Sequence, residues 1–155
     1  MQFFLAGERV LLTLWVGGLW AIGYIVAPTL FVMLDDRQLA GSLAGQMFHI
    51  ISYIGLIAGA LLSASVLKRT GMHWRVWVLI TMLVLVATGE YILQPMMVSL
   101  KLQGLVEGSA QMKQFGMLHG IASILYLIES LAGLVLVIFG LDKRKGAVVQ
   151  STQQL

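Results

Sequence analysis

Residues Phe115 to Gly140 form an apolar run long enough to cross a bilayer, yet it carries His119, Ser123, Tyr126, Glu129 and Ser130. A hydrocarbon core of about 30 Å needs about 20 helical residues, and this run exceeds that. Projected at 100° per residue, Gly116, His119, Ala122, Ser123, Tyr126, Glu129, Ser130 and Gly133 fall within an arc of roughly 140°, while Leu, Ile and Val fill the rest. Such a helix has a lipid face and a protein face. An ionisable group in hydrocarbon costs on the order of 3 kcal/mol on insertion scales, so Glu129 is expected to point into a bundle, protonated or paired. The rest of the chain fits that solvent: of 155 residues, 59% are hydrophobic and 11% charged, far too apolar for a soluble domain of this size.

Three further apolar runs precede it, so the expected fold is an all-α integral membrane protein, a four-transmembrane-helix bundle with spans at about 10–34, 39–67, 74–100 and 115–141. One domain over 1–145 and a flexible cytoplasmic tail over 146–155 complete the expected organisation. The N-terminus has no basic region before its apolar run and no small-residue cleavage site, which reads as a retained first span. Lys101 to Gln114 reads as a polar loop with a short interfacial helix. No cysteine is present, which removes disulfides, iron–sulfur clusters and thiolate metal sites. The net charge is +3, but the basic residues flank spans instead of forming a stripe, so no nucleic-acid partner is indicated. Arg9, Lys68, Arg69, Arg75, Lys143, Arg144 and Lys145 fall on the side of the termini, against Arg37, Lys101 and Lys113 on the other. The positive-inside rule then makes both termini cytoplasmic, in a multi-pass protein of a bacterial inner membrane.

The polar residues of the spans are the candidate functional groups. In the first span Thr13, Gly17, Trp20, Ala21, Tyr24, Pro28 and Phe31 share one side, which reads as the packing face, with Pro28 as a kink. In the second, Ser42, Gly45, Gln46, His49, Ser52 and Tyr53 cluster, and Gly41 with Gly45 and Gly55 with Gly59 form two GxxxG patterns for close helix approach. In the third, Glu90, Gln94 and Met97 share a face. With 1.5 Å of rise per residue, Tyr24, His49 and Glu90 lie roughly 13 to 15 Å below the outer helix ends, with Glu129 deeper and His119 shallower. The expectation is one polar cavity in the outer half, lined by Tyr24, His49, Glu90, Gln94, His119, Ser123 and Glu129, that binds a small ligand or cation.

Two alternatives stand beside that reading. One is a haem- or copper-linked membrane redox or resistance protein: Met47, Met97 and Met117 with His49 and His119 make a soft donor set suited to Cu(I), and a single histidine is able to hold haem. Bis-histidine ligation is disfavoured, because His49 and His119 differ in depth by about 9 Å. The other alternative is a structural role, with the small-residue faces packing against a second copy or another membrane protein. No nucleophile, base and orienting group stand at a recognisable spacing, so a hydrolase is not indicated. No inverted repeat is visible, so neither is alternating-access transport.

The runs Trp15-Val-Gly-Gly-Leu-Trp-Ala-Ile-Gly-Tyr-Ile-Val-Ala-Pro-Thr-Leu-Phe31, Leu39-Ala-Gly-Ser-Leu-Ala-Gly-Gln-Met-Phe48 and Phe115-Gly-Met-Leu-His-Gly-Ile-Ala-Ser123 resemble bacterial members of the transmembrane-protein-205-like family. The resemblance implies a small four-helix membrane domain of unknown role. Its motif positions are Pro28, Phe31, Gly41, Gly45, Phe48, His119, Gly120 and Ser123. The architecture is more distantly similar to copper-resistance membrane domains and to a four-helix, haem-associated protoporphyrinogen oxidase.

Overall fold

The computed structural model describes residues 2–141, and all regular structure in them is helical. Helix α1 (Gln2–Ala21) continues through a π-helical turn (Ile22–Val26) into α2 (Ala27–Met33). After a short turn α3 (Arg37–Thr70) runs back, and α4 (Trp74–Thr88) continues through a second π-helical turn (Gly89–Leu93) into α5 (Gln94–Leu102). Helix α6 (Ala110–Phe139) closes the set. Four continuous helices, Leu5–Met33, Arg37–Thr70, Trp74–Leu102 and Ala110–Phe139, are long and apolar enough to cross a membrane. The expected tail at 146–155, and 142–145 at the end of the expected domain, lie outside the described residues.

The helix ends follow local chemistry. Asp36 Oδ1 accepts from the backbone N–H groups of Gln38 (2.8 Å) and Leu39 (3.1 Å), and Ser109 Oγ accepts from Met112 N–H (3.1 Å). These caps satisfy donors that a helix start leaves unpaired. Because Ser109 starts α6, residues 110–114 belong to the fourth helix, and no interfacial helix forms between the third and fourth spans. Helices α3 and α6 stop at Gly71 (φ +71°) and Gly140 (φ +67°), left-handed positions that favour glycine.

The first span stays helical through Pro28. Each of the chain's two prolines, Pro28 and Pro95, stands in the first turn of the helix that follows a π-turn. A proline ring inside an α-helix clashes with the carbonyl four residues back. Widening the turn by one residue takes up the ring and leaves the helix continuous.

The helices pack in chain order around a square: α1 against α3 and α6, and α4 against α3 and α6. The core between them holds Leu12, Trp15, Val16, Leu19, Leu62, Leu79, Met82, Val86 and Leu136. The face expected to pack in the first span is largely at the surface, with Thr13, Gly17, Ala21, Pro28 and Phe31 exposed, and only Trp20 and Tyr24, themselves part-exposed, reach across it to the fourth span. The inward stripe is the apolar one beside it. Gly55 and Gly59 do serve a close approach, but of a side chain: a Cβ on Gly55 would stand 2.5 Å from Trp15 Nε1, and one on Gly59 3.0 Å from the same ring.

The two helical hairpins are copies of one plan. Tyr24-Ile25-Val26-Ala27-Pro28 and Tyr91-Ile92-Leu93-Gln94-Pro95 align at a constant offset, each at a π-turn. At the same offset Leu12, Trp15 and Leu19 match Leu79, Met82 and Val86, all buried. The contacts repeat as well. A Cβ on Gly59 would meet Leu83 (2.7 Å) and Trp15, and one on Gly133 would meet Val16 (2.7 Å) and Met82 (3.1 Å). Val16 and Trp15 are the counterparts of Leu83 and Met82. Glu8 binds the end of α3 through Ser65 (2.6 Å) and Arg69 (2.7 Å), and its counterpart Arg75 binds the end of α6 through the Gly140 carbonyl (2.9 Å). The first and third spans run in the same direction, so the repeat is parallel, not inverted, and the pseudo-twofold axis runs along the bundle.

Candidate functional site

The π-turns decide where polar groups lie. Beyond its turn, α2 packs on α3 and α5 packs on α6, so each odd-numbered span leans towards the helix that follows it in the chain. In the half of the bundle that holds the two polar loops, this parts the third span from the second and the first from the fourth. Two lateral crevices result, related by the pseudo-twofold axis. A pair of side chains bridges each one at the level of its π-turn.

In the crevice between the second and third spans, Glu90 projects from the π-turn and pairs through Oε1 with His49 Nδ1. The carboxyl side chain is 7% exposed and the imidazole 51%, so the acid is inside the bundle and the imidazole reaches its outer surface. Tyr53, one helical turn along α3, sets its ring edge-on to His49 with centroids 4.7 Å apart. Tyr91 follows Glu90 on the π-turn and is exposed. Gln94 Nε2 lies 4.0 Å from the position a Cβ on Gly45 would take, so Gly45 gives this amide room. Ser42 and Gln46 are exposed along the same helix.

In the crevice between the first and fourth spans the bridge is neutral. Ser130 Oγ donates to the Leu127 carbonyl (3.0 Å), which leaves Tyr24 OH to donate to Ser130 Oγ (2.7 Å). Trp20 Nε1 donates to the Ser130 carbonyl (3.2 Å), and Tyr126 OH donates to the Leu19 carbonyl (2.6 Å). Gly23, the counterpart of Glu90, is where Tyr126 crosses, with no room for a Cβ. A Tyr24→Phe variant keeps the shape and loses one hydrogen bond; thermal or SDS unfolding in detergent should show a loss of about 1 kcal/mol.

The seven residues expected around one cavity are therefore divided. His49, Glu90 and Gln94 share the first crevice, and Tyr24 belongs to the second. Glu129 is buried (5% exposed) with Oε1 unpaired among the described residues. His119 and Ser123 are exposed on α6 beyond the second bridge, His119 stacked on Phe115 and Ser123 Oγ donating to the His119 carbonyl (2.8 Å). Phe48, next to His49, meets the Tyr126 ring edge-on at 5.1 Å, so an aromatic contact stands where an open cavity was expected. The copper candidates are dispersed too: Met97 packs with Leu93, Leu100 and Leu118, while Met47 and Met117 are exposed. Among the described residues no three His, Asp or Glu side chains gather as a metal-binding group. The sequence places Trp20, Tyr53 and Ser130 on the polar sides of their spans but not at the cavity, and it does not single out Tyr91, although the repeated Tyr-Ile-x-x-Pro string is a readable signal for the Tyr24 and Tyr91 positions.

A family model described as a domain of unknown function matches residues 10–105. The chain belongs to the DUF4149 family. The DUF4149 match takes in the first three spans with both π-turns, and so contains the whole His49–Glu90 crevice, while Ser130 and the rest of α6 lie beyond it. No curated protein and no solved structure matches this DUF4149 chain.

Proposed function

We propose that this protein is a multi-pass protein of a bacterial inner membrane, with cytoplasmic termini, that binds a small lipid-soluble ligand at the His49–Glu90 crevice. The observation that carries the reading is the placement of a buried carboxyl against an imidazole that is half exposed at mid-span on the perimeter of the bundle. Polar and ionisable groups at that depth face the bundle interior, a cavity or a partner, because hydrocarbon does not solvate them. The pair is neutral as a unit, whether as imidazolium with carboxylate or as imidazole with carboxylic acid. A neutral ligand with hydrogen-bonding oxygens therefore suits it better than a bare cation. With Nδ1 held by Glu90, Nε2 and the Tyr53 and Tyr91 hydroxyls are the groups that meet such a ligand. The likeness to the transmembrane-protein-205-like family is in keeping with a small membrane domain and assigns no ligand.

The test is purification in mild detergent, followed by mass spectrometry of the extracted small molecules, an absorption spectrum and metal analysis on the same sample. A compound retained near one per chain by the parent and lost in Glu90→Gln and His49→Gln is the expected result. Equal retention by folded variants would sink the proposal. A Soret band or stoichiometric copper would replace it with the cofactor reading. A structural role has its own support, since Cβ atoms at Gly116 and Gly120 would meet nothing within 4 Å, leaving a GxxxG face of α6 open to a second helix.

A further inference from the structure

The half of the bundle nearer the termini carries a groove between the first and fourth spans. About 320 Å³ of it is lined by Thr13, Val16, Gly17, Trp20, Leu134 and Val137. Through Thr13 and Val137 it runs into a second hollow of about 380 Å³ bounded by Arg9 and the chain around Gly140. From Trp20 to Arg9 the helix rises about 16 Å, which is half of a hydrocarbon core of about 30 Å, or the depth of one leaflet. The repeat explains why the hollow lies on this side. Thr13 and Gly17 correspond to Ile80 and Val84 of the third span, and a Cβ on Gly17 would meet nothing within 4 Å. Small residues in one hairpin leave open the volume that branched side chains take up in the other.

The two ends of the groove differ. At mid-membrane it closes on the Trp20 ring, whose N–H is already committed to the Ser130 carbonyl. At the other end it is cationic: Arg9 lines the mouth, and Arg75 is held beside it by its Nε bond to the Gly140 carbonyl. An apolar slot of leaflet depth with a positive mouth is complementary to a phosphate headgroup with a hydrocarbon chain. We propose that this groove is a binding site for an anionic phospholipid of the leaflet at the termini end, with one acyl chain lying against Gly17 as far as Trp20 and the phosphate at the level of Arg9 and Arg75. The site is independent of the His49–Glu90 crevice.

The experiment is native mass spectrometry of the full chain released from nanodiscs of equimolar phosphatidylglycerol and phosphatidylcholine. The parent should retain one phosphatidylglycerol, favoured about thirtyfold over phosphatidylcholine as expected for two basic residues near a headgroup. Thr13→Ile with Gly17→Val, which installs the residues of the other hairpin, should reduce that adduct about tenfold at an unchanged unfolding temperature. If that variant does not fold, Val137→Phe narrows the same groove from α6 and is read in the same way. Equal retention of the two lipids by the parent, or equal phosphatidylglycerol retention by parent and folded variant, would overturn the proposal.

Discussion

Replacing His49 by Leu should destabilise the protein by about 3 kcal/mol, measured as reversible unfolding in mixed detergent and SDS. The reason is the partner left behind. Glu90 is 8% exposed, and removing one member of a buried pair strands the other, at about 3–5 kcal/mol in soluble proteins. The half-exposed imidazole puts the expectation at the lower end of that range. Glu90→Gln keeps a hydrogen-bonding group opposite His49 and should cost about 1 kcal/mol. The double variant His49→Leu, Glu90→Leu should recover most of the loss, because an apolar pair needs no compensation in this position. Recovery in the double variant separates a stranded charge from lost packing. If His49→Leu is as stable as the parent, the ion pair does not form in the membrane, and the lateral binding site proposed on it fails as well.

The spans themselves were readable because the bilayer imposes a length and a composition that few other constraints imitate. Which side of a span faces inward was much less so. In water, apolar residues go inside; between helices in lipid there is no such bias, because lipid tails are as apolar as leucine. The first span shows the consequence. Its stripe of Thr13, Gly17, Ala21 and Tyr24 looked like a packing face by its small and polar residues, yet Leu12, Trp15, Val16 and Leu19 fill the core. The fourth span divides along its length. Glu129, Ser130 and Gly133 are buried as their arc suggested, whereas Gly116, His119 and Ser123 on the same arc are exposed. What separates them is the lean of α2 towards α3, set by a π-turn some 100 residues earlier in the chain. Equal depth brought Tyr24, His49 and Glu90 into one imagined cavity. Depth says nothing about azimuth, and the pseudo-twofold axis sets Tyr24 and Glu90 into opposite crevices. The duplication that produces this was present in the sequence as two Tyr-Ile-x-x-Pro strings.

That duplication makes a sharp prediction about glycines that sequence motifs treat alike. Gly59→Val and Gly133→Val should each destabilise the protein by about 2 kcal/mol, the usual cost of forcing extra atoms into a packed core. At Gly59 the added Cβ would stand 2.7 Å from Leu83 Cδ2 and 3.0 Å from Trp15; at Gly133 it would stand 2.7 Å from Val16 Cγ2 and 3.1 Å from Met82 Cε. Side chains have to move in both cases, and the same two pairs of counterparts are involved, so the two losses should agree within about 0.5 kcal/mol if the hairpins are energetically as well as geometrically equivalent. Gly17→Ala and Gly120→Ala place a methyl where nothing lies within 4 Å. They should be neutral or stabilise the helix by about 0.5–1 kcal/mol, since glycine costs that much in a helix interior. A loss at Gly120 comparable with that at Gly59, measured on the isolated protein in detergent, would mean that α6 meets another helix there and that the outward GxxxG face is already in use between copies of the chain. Equal tolerance at all four glycines would remove the close packing at Gly59 and Gly133 on which the tandem-hairpin description rests.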